Sequence, residues 1–262
     1  MKLAYLCSGI VGCLALFMLG GCGPLPMCGS ANEGAEECVV LLHGLARSNR
    51  AMAPLAKALE AEGFRVANLD YPSTRKTIAE IAQEDYPRAL TCFAHSPPCA
   101  RINFVTHSMG GIVLRRALSE SRPANLGRVV MISPPNQGSE VADLLNNSWW
   151  LGWFYRWYNG PAGQELGVGP GSVPLSLGPV DYPVGVLTGD RHHGFDNWFA
   201  GMIPGADDGK VAVERAKVAG MSDFLVLSHH HTSIMKQEEV IEQVICFLKS
   251  GRFCPQGQDG KL

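Results

Sequence analysis

Six short runs of apolar and β-branched residues punctuate the chain: VVLLH (39–43), VANL (66–69), INFVT (102–106), VVMIS (129–133), VGVLT (184–188) and FLVL (224–227). None alternates apolar with polar, so both faces of each strand expect cover, as in a parallel sheet sandwiched by helices. Between the runs, apolar positions recur at helical spacing over 52–62, 77–93, 110–121 and 234–249. This alternation predicts an α/β architecture: a doubly wound, mostly parallel sheet of about six strands flanked by helices. Right-handed crossovers then bring the functional loops to the carboxyl ends of the strands.

One region breaks the rhythm. Residues 146–177, "NNSWWLGWFYRWYNGPAGQELGVGPGSVPLSL", hold four of the five tryptophans and many Gly and Pro. That is too long for a plain connection in a compact domain. It reads either as a loop packed by its own aromatics or as a cap over a lipophilic pocket, an insertion spanning 143–178. Trp150, Phe154 and Trp157 stand at i, i+4 and i+7, the spacing of a short amphipathic helix. Trp149 and Trp153 belong to the same cluster, which we take as the candidate substrate-binding cap.

The first residues follow a different rule. "MKLAYLCSGIVGCLALFMLGGCG" carries Lys2 and then no charge until Glu33. A basic start, an apolar middle and small residues at the end describe a signal peptide over 1–21. Leu19-Gly20-Gly21-Cys22 resembles the bacterial lipobox, in which the cysteine receives lipid. An ordinary secretory signal, or a retained membrane helix, are the alternatives. Residues 22–37 read as a linker, 38–254 as the domain and 255–262 as a tail. A composition of 46% hydrophobic and 18% charged residues suits one globular domain. The net charge of −2 and the absence of any basic run argue against a nucleic-acid partner.

Cysteine usage points to the same compartment. Beyond the leader and Cys22 remain Cys28, Cys38, Cys92, Cys99, Cys246 and Cys254. Proximity suggests the pairs Cys28–Cys38, Cys92–Cys99 and Cys246–Cys254, which persist only in an oxidising environment. Six buried thiols are the alternative. No C-x-x-C spacing argues for zinc or redox chemistry.

Chemistry concentrates in a few segments. In "FVTHSMGGIVLRRAL" a strand runs into Ser108 and then into a helix that opens with Gly110-Gly111. That is the pattern of a nucleophile elbow, whose strained turn needs small neighbours two residues either side of the serine. Gly110 satisfies this on one side, and Thr106 stands where the common G-x-S-x-G pattern has glycine. The Met109 N–H then lies at a helix N-terminus, where negative charge is favoured.

A serine hydroxyl needs a base to remove its proton. "LVLSHHHTSIM" offers His229, His230 and His231 after the last strand; His231 is preferred and His230 is the runner-up. A metal site is the alternative for the triplet, although adjacent residues on an extended loop point to opposite sides. The acid that orients the base is sought between serine and histidine. Asp208 in "PGADDGKVAVE" is preferred, with Asp207 and Asp190 as rivals. At the end of the first strand, His43-Gly44-Leu45 provides a second backbone donor, the Leu45 N–H, beside that of Met109. His43 itself reads as a structural residue holding this loop.

With these segments assembled, the chain resembles the α/β-hydrolase superfamily, and within it bacterial triacylglycerol lipases and related deacylase-like hydrolases. The segments that carry the likeness are "VVLLHGLARS", "NLDYPS", "FVTHSMGGI", "VVMISPPNQGSEVAD", "PGADDGKVAVE" and "HTSIM", and the likeness covers about 39–248. In those relatives the acid sits in an Asn-Asp-Gly turn, matched here by Asp207-Asp208-Gly209. The resemblance implies a Ser108-His231-Asp208 triad, an acyl-enzyme and no organic cofactor; no metal ligand set is visible. The expectation is an exported hydrolase of lipophilic acyl esters, held at a membrane surface through a lipid anchor. An acyltransferase or thioesterase on the same machinery, or an inactive lipid-binding scaffold, are the alternatives.

Overall fold

The computed structural model describes residues 27–28, 37–94, 97–149, 152–192 and 201–256. The leader, Cys22, Trp150 and the last tail residues lie outside them. A seven-stranded sheet runs through the molecule: β1 (Met27–Cys28), β2 (Glu37–Leu42), β3 (Arg65–Leu69), β4 (Arg101–His107), β5 (Leu126–Ile132), β6 (Val184–Gly189) and β7 (Asp223–Leu227). Their spatial order is β1-β3-β2-β4-β5-β6-β7. The six strands β2–β7 are mutually parallel and correspond to the six apolar runs. The two-residue β1 adds an antiparallel edge to β3, within the segment expected to be linker.

Both faces of the sheet are covered, as the continuous apolar runs require. Successive strand residues point to opposite sides. Val39, Leu41, Val66, Val105, Val130 and Ile132 pack with helix α1 (Ala53–Ala61) and the closing helix Glu238–Ser250. Val40, Leu42, Ala67, Leu69, Phe104 and Met131 pack on the other face with residues of α2 (Ile78–Glu80), α3 (Tyr86–Thr91) and α4 (Met109–Glu120).

The helix expected over 77–93 is interrupted by a π turn at Ile81–Asp85. Its start is specified by a capping box between Thr77 and Glu80. Pro87, which lacks an N–H and so cannot bond back into the preceding turn, falls in the first turn of α3. The turn places Asp85 in the interior between Lys76 and Arg88, each 2.7 Å from a carboxylate oxygen.

The aperiodic region and the residues just before it form helices, and Gly and Pro concealed those within the region. α5 (Glu140–Asn147) packs against α6 (Gly152–Gln164), and a further turn of helix spans Val173–Ser176. α6 kinks at Gly160, which has φ 63°. A Cβ there would stand 1.7 Å from the Thr74 carbonyl oxygen, so both conformation and contact demand glycine. Pro161 restarts the helix, where a missing N–H costs nothing.

Two cysteine expectations are corrected. Cys38 bonds Cys99 rather than Cys28, and Cys92–Cys99 is thereby excluded, although Cys92 is itself disulfide-bonded. Cys246–Cys254 is bridged as expected. Sequence proximity misled because β2 and β4 are direct neighbours: Cys38 is level with Ile102, three residues beyond Cys99. Buried Arg65 donates from Nη2 to both Cys38 Sγ and Cys99 Sγ.

The bond joins residues 61 apart, whereas Cys246–Cys254 joins residues eight apart. Loop-closure entropy predicts about 4 kcal/mol for the first and about 2.5 kcal/mol for the second. Denaturant unfolding of the Cys38→Ala/Cys99→Ala and Cys246→Ala/Cys254→Ala doubles should rank them in that order. The reverse ranking would contradict the entropic account.

Candidate active site

The site grows from the carboxyl ends of β2, β4, β6 and β7. β4 ends at His107, and Ser108 turns the chain into α4 with φ 54° and ψ −127°. This is a sparsely populated conformation for a residue with a side chain, costing on the order of 1–3 kcal/mol. The surroundings enforce it. A Cβ on Gly110 would stand 2.6 Å from the Leu42 carbonyl oxygen and 2.7 Å from that of His43, so α4 begins hard against the end of β2. Thr106 replaces the glycine of the common pattern without a clash because Gly111 faces it: a Gly111 Cβ would lie 3.3 Å from Thr106 Oγ1.

The side chains named from sequence meet here. The Ser108 hydroxyl lies 2.9 Å from His231 Nε2, and His231 Nδ1 donates to Asp208 Oδ2 at 2.8 Å. That pairing puts the proton on Nδ1 and leaves the Nε2 lone pair facing the serine. Asp208 Oδ1 accepts from the backbone N–H groups of Lys210 and Val211. Burial alone would raise the Asp208 carboxyl. The charge of His231, its hydrogen bond and the Val211 N–H outweigh this and hold the carboxyl below its usual value. The Asp208 carbonyl also accepts the His231 N–H at 2.9 Å, tying the two loops together.

The rival residues have other partners. His229 Nε2 pairs with Glu239. His230 Nδ1 contacts the Thr232 hydroxyl. Asp207 Oδ1 accepts the Gly209 N–H within its own turn. Asp190 lies beside Arg191.

The loop after β2 sits directly beside the serine. A Cβ on Gly44 would stand 3.0 Å from Ser108 Cβ, which brings Leu45 to the site. Met109, first residue of α4, presents its N–H at the helix N-terminus. Three residues brace the loop, two of them not singled out from sequence. The Tyr71 hydroxyl donates to the His43 carbonyl, and its ring stacks on the His43 imidazole at 4.0 Å. Ser73 Oγ accepts the Ala46 N–H at 3.1 Å. His43 is fully buried, with Nδ1 2.8 Å from the Gly44 carbonyl and Nε2 facing the Tyr71 N–H. Both residues lie in "NLDYPS", but only the folded loop shows what they support.

His107 was also missed as a support. Its Nε2–H donates to the His231 carbonyl at 3.0 Å, and the two rings lie 5.0 Å apart. Burial, followed by the charge of His231, pushes its pKa well below 6.5. Burial lowers His43 as well. Of the aromatic cluster, Trp149, Trp153 and Trp157 are exposed rather than packed into the domain. Trp150 and the Phe154 side chain lie outside the described residues.

With this geometry in view, comparison with known proteins is decisive for family. The model of the alpha/beta hydrolase fold matches residues 37–173, more than half of the chain. The chain belongs to the α/β-hydrolase fold family. No curated protein sequence matches it. Among solved structures, this α/β hydrolase is similar to the mature lipase BlEst2 of Bacillus licheniformis: 22% identity, TM-score 0.64, covering 86% of this chain and 97% of that one. It is similar to the phospholipase PlaB of Legionella pneumophila at 17% identity and TM-score 0.62, covering 82% and 59%. It is similar to the esterase Pf2001 of Pyrococcus furiosus at 23% identity and TM-score 0.57, covering 83% of each. At these identities the likeness is one of fold.

Two outcomes test the packing of the hydrolase site. Gly110→Ala should destabilise by about 1–3 kcal/mol, because backbone carbonyls oppose it, and Gly111→Ala by less. Equal thermal shifts would contradict the tight contact between α4 and β2. Neutral His43 and His107 also predict a pH dependence. Their folded pKa values lie below 6.5, so below that pH the unfolded chain takes up protons that the folded one does not. Stability should therefore fall as pH drops from 7 to 5, by up to about 1.4 kcal/mol per unit for each histidine. His107→Gln, which retains an N–H donor, should remove about half of that slope; an unchanged slope would contradict the buried neutral imidazole.

Proposed function

We propose that this α/β hydrolase is an exported serine hydrolase that cleaves carboxylic esters of lipophilic acyl chains. The observation that carries the reading is the unbroken hydrogen-bonded chain from Ser108 through His231 to Asp208. In this reading His231 Nε2 takes the Ser108 proton as Oγ attacks the acyl carbon. The carbonyl electrons move to the oxygen, which the Leu45 and Met109 N–H groups receive. Preformed donors of this kind are worth about 2.7–4 kcal/mol each in comparable enzymes. Asp208 keeps the imidazole in the right tautomer and stabilises the imidazolium. The proton then passes to the leaving alcohol as the tetrahedral adduct collapses to an acyl-enzyme. Water, activated by the same histidine, releases the acid and frees Ser108.

The lipase and the phospholipase among its structural neighbours support lipophilic esters as the substrate class. The disulfides Cys38–Cys99 and Cys246–Cys254 and the leader-like first residues support export, and the Cys22 motif supports a lipid anchor in the cell envelope. Among the described residues no helix is long and apolar enough to cross a membrane.

Kinetics on p-nitrophenyl esters test the reading. Ser108→Ala and His231→Ala should each lower kcat by at least about 10³-fold with the far-UV spectrum unchanged. His229→Ala and His230→Ala should stay within about tenfold of wild type. A Ser108→Ala chain retaining a tenth of wild-type turnover, or an inactive His230→Ala beside an active His231→Ala, would overturn the assignment.

A further inference from the structure

We propose that the carboxyl edge of the sheet, led by the exposed aromatic face of α5 and α6, is seated on a lipid bilayer by the N-terminal anchor. The inference deepens the envelope-anchored reading above and rests on it. Two independent observations converge on this edge.

The first is a surface that water suits poorly. Trp149, Trp153 and Trp157 recur every fourth residue and are 92%, 65% and 74% exposed. Tyr158 and Leu144, in the same pair of packed helices, are exposed as well. An exposed cluster of large apolar side chains marks an interaction surface. Its composition selects the partner. Over residues 144–164 the only charged residue is Arg156, and none is acidic. Indole rings with polar N–H tips are the side chains most enriched at the bilayer headgroup level.

The second observation is where the chain enters the fold. β1 runs antiparallel to β3, with Met27 opposite Asn68 and Cys28 opposite Ala67. β3 ends at Leu69, so Met27 is the end of β1 that faces the carboxyl edge. That edge holds Ser108 and Leu45. It also holds the C-terminal half of α6, where Gly160 abuts Thr74 and the Ile78 N–H donates to Glu165. Cys22 precedes Met27 by five residues, a reach of at most about 18 Å. A membrane anchor at or before Cys22 therefore pulls on the face that carries the tryptophans and the serine. Had β1 run parallel to β3, the same anchor would hold the opposite face. In the seated orientation a lipid ester reaches Ser108 without crossing water.

Tryptophan depth measurements test this without any turnover. The full chain is reconstituted in phosphatidylethanolamine–phosphatidylglycerol vesicles, with or without acyl-brominated lipid, and collected by flotation. Brominated lipid should remove more than half of the wild-type emission, since four of the five tryptophans lie in 149–157. Chains retaining only Trp153 or only Trp157, the others replaced by Phe, should each lose at least half. A chain that floats with emission unchanged within a tenth, and open to aqueous iodide, overturns the seating and leaves anchoring intact. Insensitivity to both quenchers overturns it in favour of a second copy or the domain's own surface covering the rings. A chain that does not float overturns anchoring and seating together. Hydrolysis enters none of these readings, so failure of the Ser108 assignment shows separately.

Discussion

The contact between Gly110 and the carbonyls of Leu42 and His43 is the constraint on which the site depends. It brings the start of α4 within van der Waals reach of the end of β2, closer than any side chain allows. Two consequences follow. Ser108 must turn through a positive φ to connect β4 to so close a helix, which lifts its hydroxyl off the sheet. The loop after β2 must pass beside the serine, which brings Gly44 and Leu45 to it. The positions of Ser108 and of the loop after β2 are thus products of one packing decision.

Around that contact, three histidines occupy two electrostatic situations. His43 and His107 are buried and held neutral, one bracing the Gly44 loop and the other the His231 carbonyl. His231 is oriented by Asp208 and faces Ser108. The neutral pair contributes shape without charge, so the Asp208 carboxylate interacts chiefly with the one imidazole that faces the serine. This division suits a site in which a single imidazole is asked to carry a proton.

The parallel sheet was legible because covered strands must be continuous apolar runs, and all six were locatable within three residues of their ends. Ser108, Asp208 and His231 were nameable because the elbow, the Asp-Gly turn and the position after the last strand each leave a local signature. What escaped was set by tertiary contact. Cys38 and Cys99 are 61 residues apart in sequence and adjacent only because β2 and β4 pair. Tyr71, Ser73 and His107 act through hydrogen bonds to loops distant in sequence. The helix α6 was obscured by glycine and proline, whose roles at Gly160 and Pro161 are set by the Thr74 carbonyl and not by local propensity.

The central claim is that Ser108 is the nucleophile of an acyl-transfer site. Intact-mass and peptide measurements after treatment with an alkyl fluorophosphonate address it directly, because such a probe labels only an activated hydroxyl. One phosphonyl group per chain, located on Ser108 and lost in His231→Ala, is the predicted result. Absence of label at saturating probe, or stoichiometric label on another residue, would contradict the account.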